Sequence, residues 1–353
     1  MIAGRAVSSV AQRQVRHVSP VSPSAARGLV ADVYQQVAEE MRMVIPPASL
    51  HSPSPEALAA YWMLLREPLL PSGAAGRRVK EAVAAAVSVA NTCPYCVDMH
   101  TMGLYDLVGE RDAETIATGD GDRLADPVLR DLVVFAGAAH RPDAELPELV
   151  AGPWRAEIVG VLVSFHYLCR MVNVFLAPYL VPPRLGPRGR RRFKQGMSVV
   201  LRPTLHDLRT AGRSLALAPA AELPPAAAWA AGDPAIAGAA ARAYAIFDRL
   251  GERAVPESVR GLVEARTGAW QGQPMGLSRR WCEPDVDTLP PGDRAAGRLA
   301  LLTALSSYQV DDEVVAAFRR ERPDDRDLVE LVAWAGYTAA RRIGVRFTGV
   351  AQR

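Results

Sequence analysis

Apolar residues recur along this chain at spacings of three and four, which is the period of an amphipathic α-helix. In the first such run, over residues 26–40, the recurring residues are Leu29, Val30, Val33, Tyr34 and Val37. Further helical runs cover residues 56–67, 76–90, 126–140 and 153–175. Turns that contain proline separate these runs, because proline cannot continue the interior of a helix. The pattern predicts an all-α fold with no sheet of any size.

The second half of the chain repeats features of the first. Tyr34 precedes Pro46 by the same interval at which Tyr244 precedes Pro256, and self-similarity on this scale indicates an internal duplication. A stretch rich in Pro, Gly, Arg and Ala lies between the halves, as is typical of a linker. The predicted segments are a flexible N-terminal tail (1–27), an active domain (28–185), a linker region with one helix inside it (186–235) and a degenerate second repeat (236–353).

Composition narrows the class of protein. The 353 residues are 49% hydrophobic, which suits two helical domains that each bury a core. A net charge of +3 gives no large field of one sign, so neither nucleic acid nor a membrane surface is expected as a partner. The apolar run 158–168 is about half of the roughly 20 residues that span a bilayer, and we expect a buried core helix there. Four cysteines are too few for a disulfide-stapled scaffold, which favours the cytoplasm.

Two of the cysteines form a Cys-Pro-Tyr-Cys turn, from Cys93 to Cys96, at the predicted start of a helix. His100 follows Cys96 by four residues, so the two side chains share one helical face. A helix N-terminus and a nearby imidazole both favour the thiolate, which is the nucleophilic form of cysteine. The spacing therefore predicts that Cys96 is the low-pKa thiol, which a hydroperoxide oxidises to a sulfenic acid, and that Cys93 resolves it as a disulfide.

A carboxylate, Glu81, lies on the preceding Ala-rich helix, where burial without a partner is costly. A hydrogen bond to His100 supplies a partner and orients the imidazole. The predicted catalytic residues are therefore Cys96 as nucleophile, Cys93 as resolving thiol, His100 as base and Glu81 as orienting acid.

The duplication extends to this segment. Residues 78–100 match residues 294–316, both being Ala/Leu-rich helices followed by a turn. At the positions of Cys93, Cys96 and His100 the second copy carries Gln309, Asp312 and Ala316. The second copy is therefore expected to keep the scaffold without the chemistry.

Glu81, eleven residues, Cys93-x-x-Cys96, three residues and His100 form a motif that resembles the alkylhydroperoxidase D and carboxymuconolactone decarboxylase superfamily. Two flanking segments are similar to the same family, namely His51–Pro55 and Tyr167–Phe175. The resemblance covers residues 28–183. The decarboxylase branch lacks the cysteine pair, so its reaction is not expected here.

The resemblance implies an all-helical, alkylhydroperoxidase D-like fold that forms homo-oligomers. It implies a thiol-dependent peroxidase or disulfide oxidoreductase without metal, flavin or haem. The substrate would be an alkyl hydroperoxide, and the electrons would come from a protein or small-molecule dithiol or pass on to a peroxidase. Glu81 and His100 relay protons in this scheme. One departure from the family pattern is Tyr95, where the peroxidase member carries a histidine between the cysteines.

Other interpretations of the dithiol remain open. Cys93, Cys96 and His100 can be zinc ligands, but a structural zinc site takes four ligands and no second Cys/His pair lies nearby. A thioredoxin-like motif would follow a strand, whereas an Ala-rich helix precedes this one. The alternative function is a non-catalytic helical scaffold whose dithiol only senses redox state.

Further polar residues outside the motif have structural interpretations. His166 and Tyr167, in the apolar run beside Arg170, fit a satisfied polar cluster in the core, with pocket lining as the alternative. Cys169 and Cys282 are isolated in the sequence, and we expect both to act as small hydrophobic residues without a catalytic role.

Overall fold

The structure, a computed structural model, describes residues 14–182 and 184–349. Within these residues the chain is helical, and its only β pairing is an isolated antiparallel bridge between Val15 and Leu176. The all-α class predicted from the sequence is confirmed.

In the first half the α-helices are α1 (Gly28–Met41), α2 (Pro46–Ser49), α3 (Pro55–Leu69), α4 (Arg77–Ala90), α5 (Pro94–Leu107), α6 (Glu110–Ala117), α7 (Pro127–Ala138), α8 (Glu148–Ala151) and α9 (Arg155–Phe175). Helix α10 (Pro187–His206) follows. The second half contains α11 (Pro234–Ala254), α12 (Glu257–Ala269), α13 (Glu283–Val286), α14 (Arg294–Ser306), α15 (Asp312–Glu321) and α16 (Asp325–Gly344). Short 3₁₀ turns join several of them.

The two segments that match in the sequence, 78–100 and 294–316, each contain a helix, a turn and the start of a second helix. The first contains α4, its turn and α5, and the second contains α14, a 3₁₀ turn at Ser307–Gln309 and α15. The duplication itself stays a prediction. At the counterpart of the cysteine turn, the Gln309 side chain donates to the carbonyl of Gly276 at 2.8 Å and accepts from Trp281 at 2.9 Å. The Gln309 side-chain amide thus holds the loop that contains Gly276, and this turn contains no cysteine.

Helix α9 lies at the centre of the fold. It packs on α3 and α4 of its own half and on α16 of the other half, while α11 packs across α3. The halves therefore share one continuous core. By length and composition α9 is apolar enough to cross a membrane, but 94% of its apolar window is buried inside the protein. The core helix expected around residues 158–168 is confirmed.

The segments predicted as tail and linker contact the body of the protein. Residues 1–13 of the predicted tail lie outside the described residues, but Arg16 N donates to the carbonyl of Phe175 at 2.7 Å and Ser19 N donates to Asp325 at 2.6 Å. In the linker region, α10 packs along α5. Its Lys194 pairs with Glu114 at 2.8 Å, and its Arg202 pairs with Asp106 at 2.6 Å. The tail segment thus contacts both halves, and α10 packs against the first half.

A buried ion pair joins α4 to α9. Lys80 and Glu157 are almost fully buried, and the Lys80 ammonium contacts the Glu157 carboxylate. Lys80 also donates to the carbonyl of Pro71 at 3.0 Å, and Glu157 accepts from the backbone N–H of Ala74 at 2.7 Å. Breaking one side of such a pair is costly because it leaves the other charge buried and alone.

We predict that Glu157→Gln lowers the free energy of unfolding by about 3–5 kcal/mol, because it leaves the Lys80 ammonium without a counter-charge in the core. Urea denaturation followed by far-UV circular dichroism measures the change. The control is Arg249→Gln, which breaks a half-exposed pair with Glu56 and is expected to cost less than about 1 kcal/mol. Equal effects of the two substitutions would contradict the prediction.

Candidate active site

The cysteine turn is built by the end of α4 and the start of α5. Thr92 adopts a left-handed backbone conformation with φ of 50°, and Cys93, with φ of −113° and ψ of 84°, is the N-cap of α5. Cys93 N donates to the carbonyl of Ser88 at 3.0 Å, which ties the turn back to α4. Pro94 occupies the first helical turn, where its missing N–H costs nothing. Cys96 therefore lies in the first turn of α5.

Glu81 and His100 meet between α4 and α5. His100 Nδ1 donates to Glu81 Oε2 at 2.6 Å, and Arg77 Nε donates to the other carboxylate oxygen at 2.7 Å. Since a carboxylate only accepts, the imidazole proton sits on Nδ1, and Nε2 of the neutral ring is the free base position. The ring packs edge-on against Phe165, with centroids 4.6 Å apart. Two of the predicted site residues are thus in direct contact.

The charge of Glu81 is held by its neighbours. Burial alone raises the pKa of this carboxyl, but the charges of Arg77 and His100 and their hydrogen bonds outweigh it and lower the pKa to about 2. Glu81 is therefore an ionised acceptor across the physiological range, and it orients His100 without changing its own charge.

Three thiols, not two, meet at the cysteine turn. The Sγ atoms of Cys93, Cys96 and Cys169 all lie within 4.8 Å of one another, and all three residues are buried. Cys169 comes from α9, and its Sγ lies 3.5 Å from the hydroxyl of Ser88 on α4. The sequence did not predict this contact. Cys169 is far from the turn along the chain and reaches it only because α9 packs against α4. Cys282 lies apart, with its Sγ 3.1 Å from the carbonyl of Arg279.

The thiols do not ionise independently. Burial and then the hydrogen bond with Cys169 raise the pKa of Cys93, and the hydrogen bonds with Cys169 and Cys93 and then burial raise the pKa of Cys96. At Cys169, burial is outweighed by hydrogen bonds from Cys93 and Cys96, by the contact with Ser88 and by the charge that His100 carries when it is protonated, which together lower the pKa. The sequence predicts the lowered pKa at Cys96, whereas the cluster favours a thiolate at Cys169. The physical reason is that a thiolate at Cys169 accepts from several donors at once.

The three thiols also determine which metal ions the site could bind. Three thiolates are soft ligands suited to zinc or monovalent copper. A structural zinc site needs a fourth ligand, and among the described residues the cluster consists of the three cysteines. His100, a ligand in the zinc interpretation of the sequence, does not belong to this cluster, and its Nδ1 donates to Glu81.

A cavity of about 730 Å³ adjoins the outer side of the cysteine turn. Thr92, Pro94 and Tyr95 line it from the first half, and Tyr308 and Val310 line it from the second. The Tyr95 side chain is buried, and its hydroxyl donates to Gln14 at 3.0 Å. Tyr95 thus lines the cavity, which none of the three cysteines does, and links the turn to the N-terminal segment.

Comparisons with known proteins identify the family of the chain. Residues 56–119, which contain α4 and the cysteine turn, match the model of the Carboxymuconolactone decarboxylase family. The chain is also 37% identical over 332 residues to a protein of Mycobacterium tuberculosis named alkyl hydroperoxide reductase, and the alignment covers 94% of each chain. Because this relative aligns over both halves, the likeness includes the second repeat. The chain therefore belongs to the alkylhydroperoxidase D-like, carboxymuconolactone decarboxylase family.

Proposed function

We propose that the protein is a thiol-dependent peroxidase that reduces alkyl hydroperoxides with the Cys93–Cys96 dithiol. The observation that carries the proposal is the buried thiol cluster beside an imidazole already oriented by an ionised carboxylate. The name of the Mycobacterium tuberculosis relative, an alkyl hydroperoxide reductase, supports the same substrate class. Cys96 is the first thiol to react, because it lies one helical turn from His100. It is also the most exposed of the three cysteines, although its exposed fraction is only 4%.

The reaction balances in three steps. The Cys96 proton moves to a neighbouring base, and the thiolate attacks the terminal peroxide oxygen, which breaks the O–O bond and gives Cys96 sulfenic acid and an alkoxide. The protonated base returns its proton to the alkoxide, which leaves as the alcohol. The Cys93 thiol then attacks the sulfenic sulfur, which forms the disulfide and releases water. A protein or small-molecule dithiol reduces this disulfide and becomes oxidised itself. His100 Nε2 is the base for the first step, and Glu81 holds the ring in the required tautomer.

Cys169 provides a second partner for an oxidised Cys96. Its sulfur lies within 4.8 Å of the Cys96 sulfur, and its thiolate accepts hydrogen bonds from both other thiols. The same sulfur can attack the sulfenic acid at Cys96 when Cys93 is missing. The dithiol therefore works within a three-thiol unit.

The 730 Å³ cavity beside the turn has the size of an ordinary small-molecule pocket and can hold the alkyl group of a hydroperoxide. The cysteines do not line this cavity, so Tyr95, which does, must shift for the peroxide to reach Cys96. A homo-oligomer, expected from the family resemblance, is part of the proposal.

We predict that Cys96→Ser abolishes turnover of cumene hydroperoxide with dithiothreitol as reductant, because the nucleophile is lost. A peroxide-consumption assay measures this, and Cys282→Ser, which changes a distant thiol, serves as the matched control with activity like that of the unmodified protein. A wild-type protein that consumes one equivalent of peroxide and does not turn over would favour the alternative function, a scaffold with a redox-sensing dithiol.

We predict that Cys93→Ser still forms an intramolecular disulfide after one equivalent of peroxide, now between Cys96 and Cys169. Non-reducing peptide mapping by mass spectrometry identifies the bond. In the double variant Cys93→Ser/Cys169→Ser no partner remains, and a dimedone-type reagent should trap the sulfenic acid at Cys96. Stable sulfenic acid in Cys93→Ser alone would show that Cys169 does not reach Cys96.

We predict that His100→Ala slows peroxide reduction by about 100-fold and Glu81→Gln by about tenfold, because the first removes the base and the second only its orientation. Since the pKa of Glu81 is about 2, its carboxylate stays ionised between about pH 5 and 8 and adds no titration of its own to the wild-type rate there. The control is Glu222→Gln at an exposed carboxylate, which should leave the rate unchanged. A rate that is unchanged in His100→Ala would contradict the assigned role.

A further inference from the structure

A second, smaller cavity of about 150 Å³ lies between the two halves, separate from the cysteines. Its walls come from the end of α4, from α9, from the end of α14 and from the loops that carry His140 and Trp270. The polar side chains among its lining residues include Asn91, His140, His166, Arg170, Trp270 and Ser306. Nothing in the thiol chemistry uses this cavity.

Arg170 brings a buried cation to the cavity, and the charge that acts on it is that of a thiolate at Cys169 rather than that of a carboxylate. The residue is only 4% exposed, and no carboxylate of the described residues forms an ion pair with it. Burial lowers the pKa of its guanidinium to about 10, so the group is still a cation at neutral pH. It donates to the carbonyl of Ala304 at 2.9 Å and to Asn91 Oδ1 at 2.7 Å, which satisfies part of its donor set without supplying negative charge. A buried cation without an acidic partner is costly.

The hydrogen bonds of Asn91 fix the tautomer of His166. A guanidinium only donates, so the Asn91 amide oxygen must face Arg170 and its NH₂ group must face the other way. That NH₂ lies 2.9 Å from His166 Nδ1, which therefore accepts. The proton of the neutral ring then sits on Nε2, and this buried N–H donor has no partner in the structure. Burial lowers the pKa of His166, which keeps the ring neutral.

The other polar residues of the lining include a further unpaired hydrogen-bond donor. The Ser306 hydroxyl is buried without a partner and can donate. Burial lowers the pKa of His140 to about 4, so this ring is uncharged at neutral pH. None of the residues that the structure places around the cavity is an aspartate or a glutamate. The cavity therefore offers a cation and two unsatisfied donors, and its described lining contains no carboxylate to accept from them.

We infer that this cavity is a binding site for a small oxyanion, a carboxylate or a phosphate group, held by Arg170 with hydrogen bonds from His166 Nε2 and Ser306. A cavity of about 150 Å³ has room for several waters or for a small anion such as acetate or phosphate. An oxyanion satisfies the two orphan donors and neutralises the guanidinium, which water cannot do. The alkyl chain of a large substrate does not fit, so the ligand is distinct from the hydroperoxide proposed above.

The test uses the full chain and two probes, sodium acetate and sodium phosphate, with sodium chloride holding the ionic strength constant. Isothermal titration calorimetry should show saturable binding of about one ion per chain for at least one probe. In ¹⁵N-histidine-labelled protein, which has six histidines, the Nε2 resonance of His166 should shift along the same titration, and its absence in His166→Phe assigns it. The two probes distinguish a carboxylate site from a phosphate site.

Arg170→Gln and His166→Phe should each weaken this binding at least about tenfold, because each removes a charged or charge-assisted contact. His166→Phe keeps an aromatic ring of similar size, so it tests the site even where Arg170→Gln fails to fold. The matched controls are Arg249→Gln and His206→Phe, which alter exposed side chains elsewhere and should leave the affinity unchanged. Absence of saturable binding by both probes would overturn the inference. So would equal binding of chloride, or affinity unchanged in His166→Phe.

Discussion

Helix α9 carries polar and charged side chains through the centre of a helical core, and almost none of them can reach water. Each such group needs a partner from another helix, because an unpaired polar group in the interior is costly. Glu157 meets Lys80 near one end, and near the other end Asn173 donates to the carbonyl of Asn91 at 3.1 Å and to the hydroxyl of Ser307 at 3.0 Å. These contacts fix where α9 lies against α4. They thereby place Cys169 against the cysteine turn.

Local pattern accounts for much of what the sequence predicted. The helical runs predicted over 76–90 and 153–175 form α4 (Arg77–Ala90) and α9 (Arg155–Phe175), because periodic apolar residues and flanking turns report directly on a helix. The contact between Glu81 and His100 could also be predicted from the sequence, because a buried carboxylate needs a partner and the motif contains a histidine nearby. Within the described residues, the all-helical class and the family follow from the same signals.

Contacts between distant residues left no such signal. Cys169 reads as an isolated small hydrophobic residue in its helix, and only the tertiary packing shows that its sulfur joins the other two. The consequence for ionisation was equally hidden, because the pKa of a thiol in a cluster belongs to the group of interacting sites. The same holds for His166, whose orphan donor results from a chain of hydrogen bonds through Asn91 to Arg170. Tyr167, its neighbour, is the satisfied core residue that was expected, with its hydroxyl 2.8 Å from His51 Nε2.

The shared core gives the duplication a thermodynamic meaning. Helix α16 packs on α9 and α11 packs on α3, so each half covers the apolar face that the other would expose. The arrangement has the contacts of an obligate dimer whose subunits are joined by a peptide linker. Joining them makes association unimolecular, so the effective concentration of one half around the other no longer depends on how much protein is present. It also removes the requirement that both partners be identical. One copy can keep the thiols while the other, free of catalytic constraint, serves as a permanent wall of the site.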